Sequence, residues 1–252
     1  MAHRSEHAKT TFELMSWAAG QRARAGRLLK PLVFVLACVP AALLIAGLFT
    51  GGLGVNPVET ITHRTGETAL QLLLLTLAVT PLRRLSGWQV IARLRRMLGL
   101  FAFFYVTLHF TIYAVLDASL DPAYVLDDIV KRPYITIGFL AACTLVPLAA
   151  TSTNAMVKRL GGAAWRRLHK LVYVAAAVAV THYLWLVKAD VVEPAIYAAM
   201  FIALMTLRLP ALANSLPRWR RLASVRRDNL RRRGSGGAGF HRLDGGVSPP
   251  AC

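Results

Sequence analysis

The stretch RRMLGLFAFFYVTLHFTIYAVL, residues 95–116, decides the class of this protein. Two arginines open it, and no Asp, Glu, Lys or Arg follows until after Leu116. At a rise of about 1.5 Å per residue, about twenty such residues cross the hydrocarbon core of a bilayer. One imidazole, His109, sits inside the run. An ionisable side chain at membrane depth is costly and marks a functional position.

Working outward from this segment, comparable apolar runs recur at 31–49, 67–81, 133–150, 169–187 and 194–210. With 98–116 they predict an all-α membrane protein, a bundle of six transmembrane helices. The second run is the weakest, being short and carrying Gln71, Thr76 and Thr80. Pro40 and Pro147 fall inside predicted helices. Kinks are expected there, with neighbouring groups satisfying the carbonyls that proline frees.

Composition agrees. Hydrophobic residues make up 56% of the 252, and the mean hydropathy is +0.48, although the formal net charge is +18. The charge is segregated. Arg83, Arg84, Arg93, Arg95 and Arg96 follow the second run, Lys158, Arg159, Arg166 and Arg167 follow the fourth, and both ends of the chain are basic. The alternate connections hold acids: Glu59, then Asp117, Asp121, Asp127 and Asp128, then Asp190 and Glu193. Basic loops stay cytoplasmic, so both termini are expected in the cytoplasm, with Lys131 and Arg132 as local exceptions on the outer side. The chain thus divides into a basic lead (1–30), a six-helix domain (31–210) and a basic tail rich in Arg, Gly and Ser (211–252). The tail suits contact with anionic lipid head groups. Nucleic acid is not an expected partner, because the apolar runs build no nucleic-acid-binding fold. The first apolar run begins only after a long polar lead, so it is expected to remain as a membrane helix rather than serve as a cleaved signal.

Cys38, Cys143 and Cys252 form no CxxC or CxxCH, which removes the sequence signals for a disulfide framework, an iron–sulfur cluster or covalent haem. No glycine-rich dinucleotide fingerprint or P-loop is present either, so electrons would have to come from a separate donor and pass to a separate acceptor.

The histidines carry the chemistry. His3 and His7 lie in the lead, His241 in the tail, and His63 at the outer start of the second run, whereas His109, His169 and His182 lie in or at the edge of spans. Imidazole is the usual axial ligand for haem iron in such a setting. His109 is eleven residues past Leu98, about 16 Å deep, and His182 is thirteen past His169, about 20 Å deep. Two helices running the same way thus bring His109 and His182 to similar depth, where they can clamp one haem. His169, nearer the cytoplasm, is the candidate for a second. Thirteen residues also place His169 and His182 roughly 140° apart around a straight helix, so they address different faces or the helix is irregular.

At these residues a family resemblance appears. TGETALQLLLLTLAVTPLRRL (65–85), RRMLGLFAFFYVTLHFTIY (95–113), KRPYITIGFL (131–140), LAATSTNAM (148–156), WRRLHKLVYV (165–174) and HYLWLVK (182–188) follow one another in the order found in the MsrQ (YedZ) family. That family, within the ferric-reductase-like transmembrane group, supplies haem-binding membrane subunits of bacterial periplasmic methionine sulfoxide reductase systems. The resemblance implies haem b, one or two per chain, on His109, His169 and His182, and FMN besides. It implies electrons from a cytoplasmic flavin reductase or from quinol, delivered across the inner (cell) membrane to a periplasmic molybdenum-containing methionine sulfoxide reductase, where the repair of oxidised proteins takes place. No catalytic residue is then expected in this chain. Arg83, Arg84, Arg95 and Arg96 could hold haem propionates, the FMN phosphate or the donor. Two other readings of the residues are a ferric or quinol oxidoreductase on the same scaffold, and a cofactor-free transporter relaying protons through the histidines.

Overall fold

The computed structural model describes residues 28–87, 89–187 and 191–208. The tail (211–252) and all but the last three residues of the lead (1–30) lie outside the described residues. Within them every regular element is helical: α1 (Leu28–Thr50), α2 (Pro57–Ser86), α3 (Leu94–Ile112), α4 (Pro122–Lys131), α5 (Pro133–Ala150), α6 (Asn154–Leu160), α7 (Gly162–Leu168), α8 (Leu171–Leu186) and α9 (Val192–Thr206). A 3₁₀ turn, Gln89–Arg93, leads into α3, and a wider π turn, Tyr113–Asp117, ends it. By length and composition α1, α2, α3 with its flanking turns, and α5 can cross a membrane, while α9 is apolar but shorter. At 16 residues α8 is also short.

The second run, weakest by hydropathy, becomes a 30-residue helix at the centre of the bundle. Of its most apolar window 61% is buried within the protein, against 6% for α1 and 17% for α3 and α5. Hydropathy reports exposure to lipid, and a helix walled in by protein can carry polar groups if they are paired. Thr65, Thr68 and Thr76 are buried and donate to the carbonyls of Ile61, Arg64 and Leu72 one turn back. Leu70, Leu73, Leu74 and Leu77 of α2 form the core with Leu98 and Ala102 of α3, Leu145 and Leu148 of α5, and Val172, Ala175, Ala176 and Val180 of α8. Ala175 and Ala176 are fully buried. Such small side chains let helices approach closely where lipid offers no hydrophobic drive.

Two prolines open helical ladders, and distant side chains fill the gaps. Beside Pro40, the Tyr105 hydroxyl accepts from the Ala41 N–H (3.0 Å) and donates to the Ala37 carbonyl (2.8 Å), the two groups that a regular helix would join to each other. Pro81 has no N–H for the Leu77 carbonyl, and the Arg208 guanidinium at the end of α9 donates to that oxygen and to the Tyr173 hydroxyl. At Pro81 a neighbouring side chain thus satisfies the carbonyl that the proline frees.

Lys131 and Arg132, which break the alternation of charge, are matched locally. Lys131 pairs with Asp127 (2.8 Å) and Arg132 with Asp128 (3.1 Å), each one turn back. Asp128 is buried and also accepts from the Tyr113 hydroxyl (2.9 Å). These bases therefore add little unpaired charge to the acid-rich end.

Candidate functional site

Two cavities run through the bundle, and Leu73 of α2 and Leu145 of α5 line both. The cavity at the acid-rich end holds about 570 Å³, that at the arginine-rich end about 480 Å³. Both lie in the range of small-molecule and cofactor sites.

His109 of α3 and His182 of α8 line the first cavity, as the depth arithmetic predicts. His109 Nδ1 lies 2.9 Å from the Thr62 carbonyl of α2, and His182 Nδ1 lies 2.7 Å from the Tyr134 carbonyl of α5. A carbonyl oxygen only accepts, so Nδ1 must carry the proton in both rings. The neutral ring then keeps its lone pair on Nε2, and among the described residues no hydrogen bond engages that nitrogen. Locking one ring nitrogen to a carbonyl is how proteins orient a histidine that ligates metal through the other.

Glycines make this approach possible. A Cβ built on Gly66 would lie 3.0 Å from Cε1 and Nδ1 of His109, and one on Gly138 would lie 2.7 Å from Cε1 of His182. Each glycine is one helical turn beyond the accepting carbonyl. Neither was legible as a site residue, because nothing in the local sequence tells which ring will lie against it.

His169 goes elsewhere. It caps α7 rather than sitting on α8, which begins at Leu171, so the chain turns between His169 and His182 and the 140° conflict disappears. Its Nδ1 lies 3.1 Å from the Trp165 carbonyl and its ring stacks on the Trp165 indole, 3.8 Å between centroids. Its Nε2 is buried without a hydrogen-bond partner. Around it the second cavity is lined by Arg83, Arg95, Arg96, Arg166 and Lys170. Arg84 is not part of that lining. Trp165, which interfacial preference alone would explain, also donates to the Thr151 carbonyl at the end of α5 (2.9 Å) and so fixes the turn bearing His169.

His63, given no role by sequence, joins the lining of the first cavity, with Glu59 and Glu67 one turn to either side. Glu67 accepts from Tyr197 (2.9 Å) and Gln71 (3.0 Å). Among the described residues no group of three or more His, Cys, Asp or Glu could hold a bare metal ion. Two neutral imidazoles lining one cavity suit instead a metal whose remaining ligands come from a macrocycle. The residues present fit a haem: free Nε2 atoms, glycine-lined approaches, and a third imidazole with an unpartnered Nε2 beside five cationic side chains.

Comparison with known proteins places the chain in a family. Residues 65–180, from the body of α2 into α8, match the family described as ferric reductase like transmembrane component. Three curated relatives carry the name protein-methionine-sulfoxide reductase heme-binding subunit MsrQ. The one from Herminiimonas arsenicoxydans is 50% identical over 184 residues, 72% of this chain and 84% of its own. That from Ralstonia nicotianae is 52% identical over 179 residues, 70% of this chain and 82% of its own. That from Rhodospirillum rubrum is 50% identical over 188 residues, 75% of this chain and 89% of its own. Half-identical to these relatives over more than four-fifths of their length, the chain belongs to the MsrQ family and is a multi-pass membrane protein with a ferric-reductase-like core.

Proposed function

We propose that this chain is the haem b membrane subunit of a repair system for oxidised periplasmic methionine. It takes electrons from a cytoplasmic flavin reductase or quinol and passes them across the inner membrane to a periplasmic molybdenum-containing methionine sulfoxide reductase. The observation that carries the reading is the pair His109 and His182, from separate helices, lining one cavity while backbone carbonyls hold their Nδ1 protons. These two are the axial ligands, and His169 with its orphaned Nε2 serves a second haem. When bound, haem supplies one-electron redox chemistry at membrane depth. The protein orients the imidazoles and keeps their protons on Nδ1. Arg83, Arg95 and Arg96 take propionates or the phosphate of FMN, since guanidinium binds both in bidentate fashion.

The charge distribution supports six spans over 31–210, with α8 and α9 completing the set. Both termini, and with them the lead (1–30) and tail (211–252), then face the cytoplasm. The arginine-lined cavity opens toward the donor and the acid-lined cavity toward the acceptor.

The test is reconstitution of the full chain in vesicles, with a flavin reductase outside and the molybdenum enzyme enclosed. Oxidation of the external reductant that requires enclosed methionine sulfoxide is expected. Electron delivery to ferric salts alone, with none to the enclosed enzyme, would move the assignment to a ferric reductase.

A further inference from the structure

The same clamp is built twice. In α2 the Thr62 carbonyl accepts from His109 and Gly66 lies four residues on; in α5 the Tyr134 carbonyl accepts from His182 and Gly138 lies four residues on. The sequence separations between ring and carbonyl are 47 and 48 residues. Each clamp joins neighbouring helices, α2 to α3 and α5 to α8. The chain has no visible sequence repeat, yet this device recurs at corresponding places in the two helix pairs.

Helix geometry explains why the fourth residue must be small. Cα–Cβ bonds tilt toward the helix N-terminus, so a side chain at i+4 leans over the carbonyl of residue i. A ring can reach that oxygen from the side only if the position bears no Cβ. The clearances bear this out, at 3.0 Å for Gly66 and 2.7–3.1 Å along the ring edge of His182 for Gly138. Neither ring can simply retreat, because its Nδ1 is held at hydrogen-bond distance.

We infer that Gly66 and Gly138 are positioning residues that set the tautomer and orientation of His109 and His182, and through them the potential of the group these histidines hold. The inference rests on the proposed role of the two histidines as iron ligands. An imidazole that donates from Nδ1 gains electron density at Nε2 and favours the oxidised metal. An alanine Cβ displaces the ring, weakens the Nδ1 bond and makes the imidazole a poorer donor. The midpoint potential then rises. Retention of haem falls about tenfold or more, the usual effect of removing an outer partner of a metal ligand. Gly138→Ala acts more strongly than Gly66→Ala, because its clearance is the smaller.

The experiment compares the full detergent-purified chain with Gly66→Ala, Gly138→Ala, His109→Ala and His182→Ala, measuring haem per chain, the redox titration and the ferric electron-resonance spectrum. Raised potentials and altered ferric spectra in both glycine variants, in the stated order, support the inference. Wild-type potentials and spectra in the glycine variants, with haem lost in the histidine variants, overturn it and leave the ligand assignment standing. Haem fully retained in the histidine variants removes the ligand assignment, and the inference with it. Should the glycine variants not fold, nitrogen-15 spectra of histidine-labelled haem-free wild type decide. Protonated Nδ1 and bare Nε2 at positions 109 and 182 are expected, and a protonated Nε2 at either overturns the inference.

Discussion

His109→Ala and His182→Ala are each expected to lower affinity for the first haem by about a hundredfold or more, the upper end of what loss of an outer partner alone costs. The effects should coincide if the proposed reading holds, because both imidazoles line one cavity and would then serve one iron. The fold should survive. Either change leaves only the Thr62 or Tyr134 carbonyl without its ring, and that oxygen still belongs to a continuous helix. His169→Ala is the contrasting variant. Its ring lines the other cavity beside Arg95, Arg96 and Trp165, so the first haem stays in place when it is removed. Haem-to-protein ratios of the purified variants check all three. Loss in only one of the first two would point to a single-histidine site.

Tyr105→Phe is expected to destabilise the protein by about 1–3 kcal/mol without removing haem. Tyr105 is fully buried, and its hydroxyl completes the α1 ladder at Pro40. Losing it strands the Ala41 N–H and the Ala37 carbonyl away from water, where an unmade hydrogen bond is most costly. The other contacts that hold helix α1 are apolar: Ala37 enters the core, Leu29, Val33 and Ala41 pack against it, and Phe34 meets Phe101 edge-on at 5.2 Å. Thermal unfolding in detergent reads the loss. Adding Pro40→Ala should restore most of it, because an uninterrupted helix closes its own bonds, so the two changes should be strongly non-additive. Simple additivity would mean that Tyr105 acts through packing and not through the opened ladder.

Much of this architecture is legible in the sequence, and the exceptions have physical causes. The run at 133–150 coincides with α5, and 98–116 falls within α3 and the turn that follows. Reading α2 as only 67–81 misses its first ten residues and its last five, because Glu59, His63 and Arg64 at one end and Arg83 and Arg84 at the other look like loop to any measure of apolarity. Capping chemistry marks the true start: Asn56 accepts from the Glu59 N–H and Pro57 occupies the first helical position. Depth arithmetic brings His109 and His182 to one cavity because it needs only helix rise and direction. It misplaces His169 on the fifth span because a turn at His169 and Lys170 interrupts the helix without a proline or glycine to announce it. The glycine clamps, the filling of the Pro40 and Pro81 gaps by Tyr105 and Arg208, and the entry of His63 into the cavity depend on which helices become neighbours. That information resides in packing, not in local pattern.

The most direct test of the central claim, that His109 and His182 hold a redox-active haem, is a dithionite-reduced minus oxidised visible spectrum of the purified full chain produced with ample haem. The account predicts sharp b-type bands in the wild type that fade in both histidine variants. A featureless spectrum from well-folded protein would contradict it and leave proton relay through the same histidines as the function to examine.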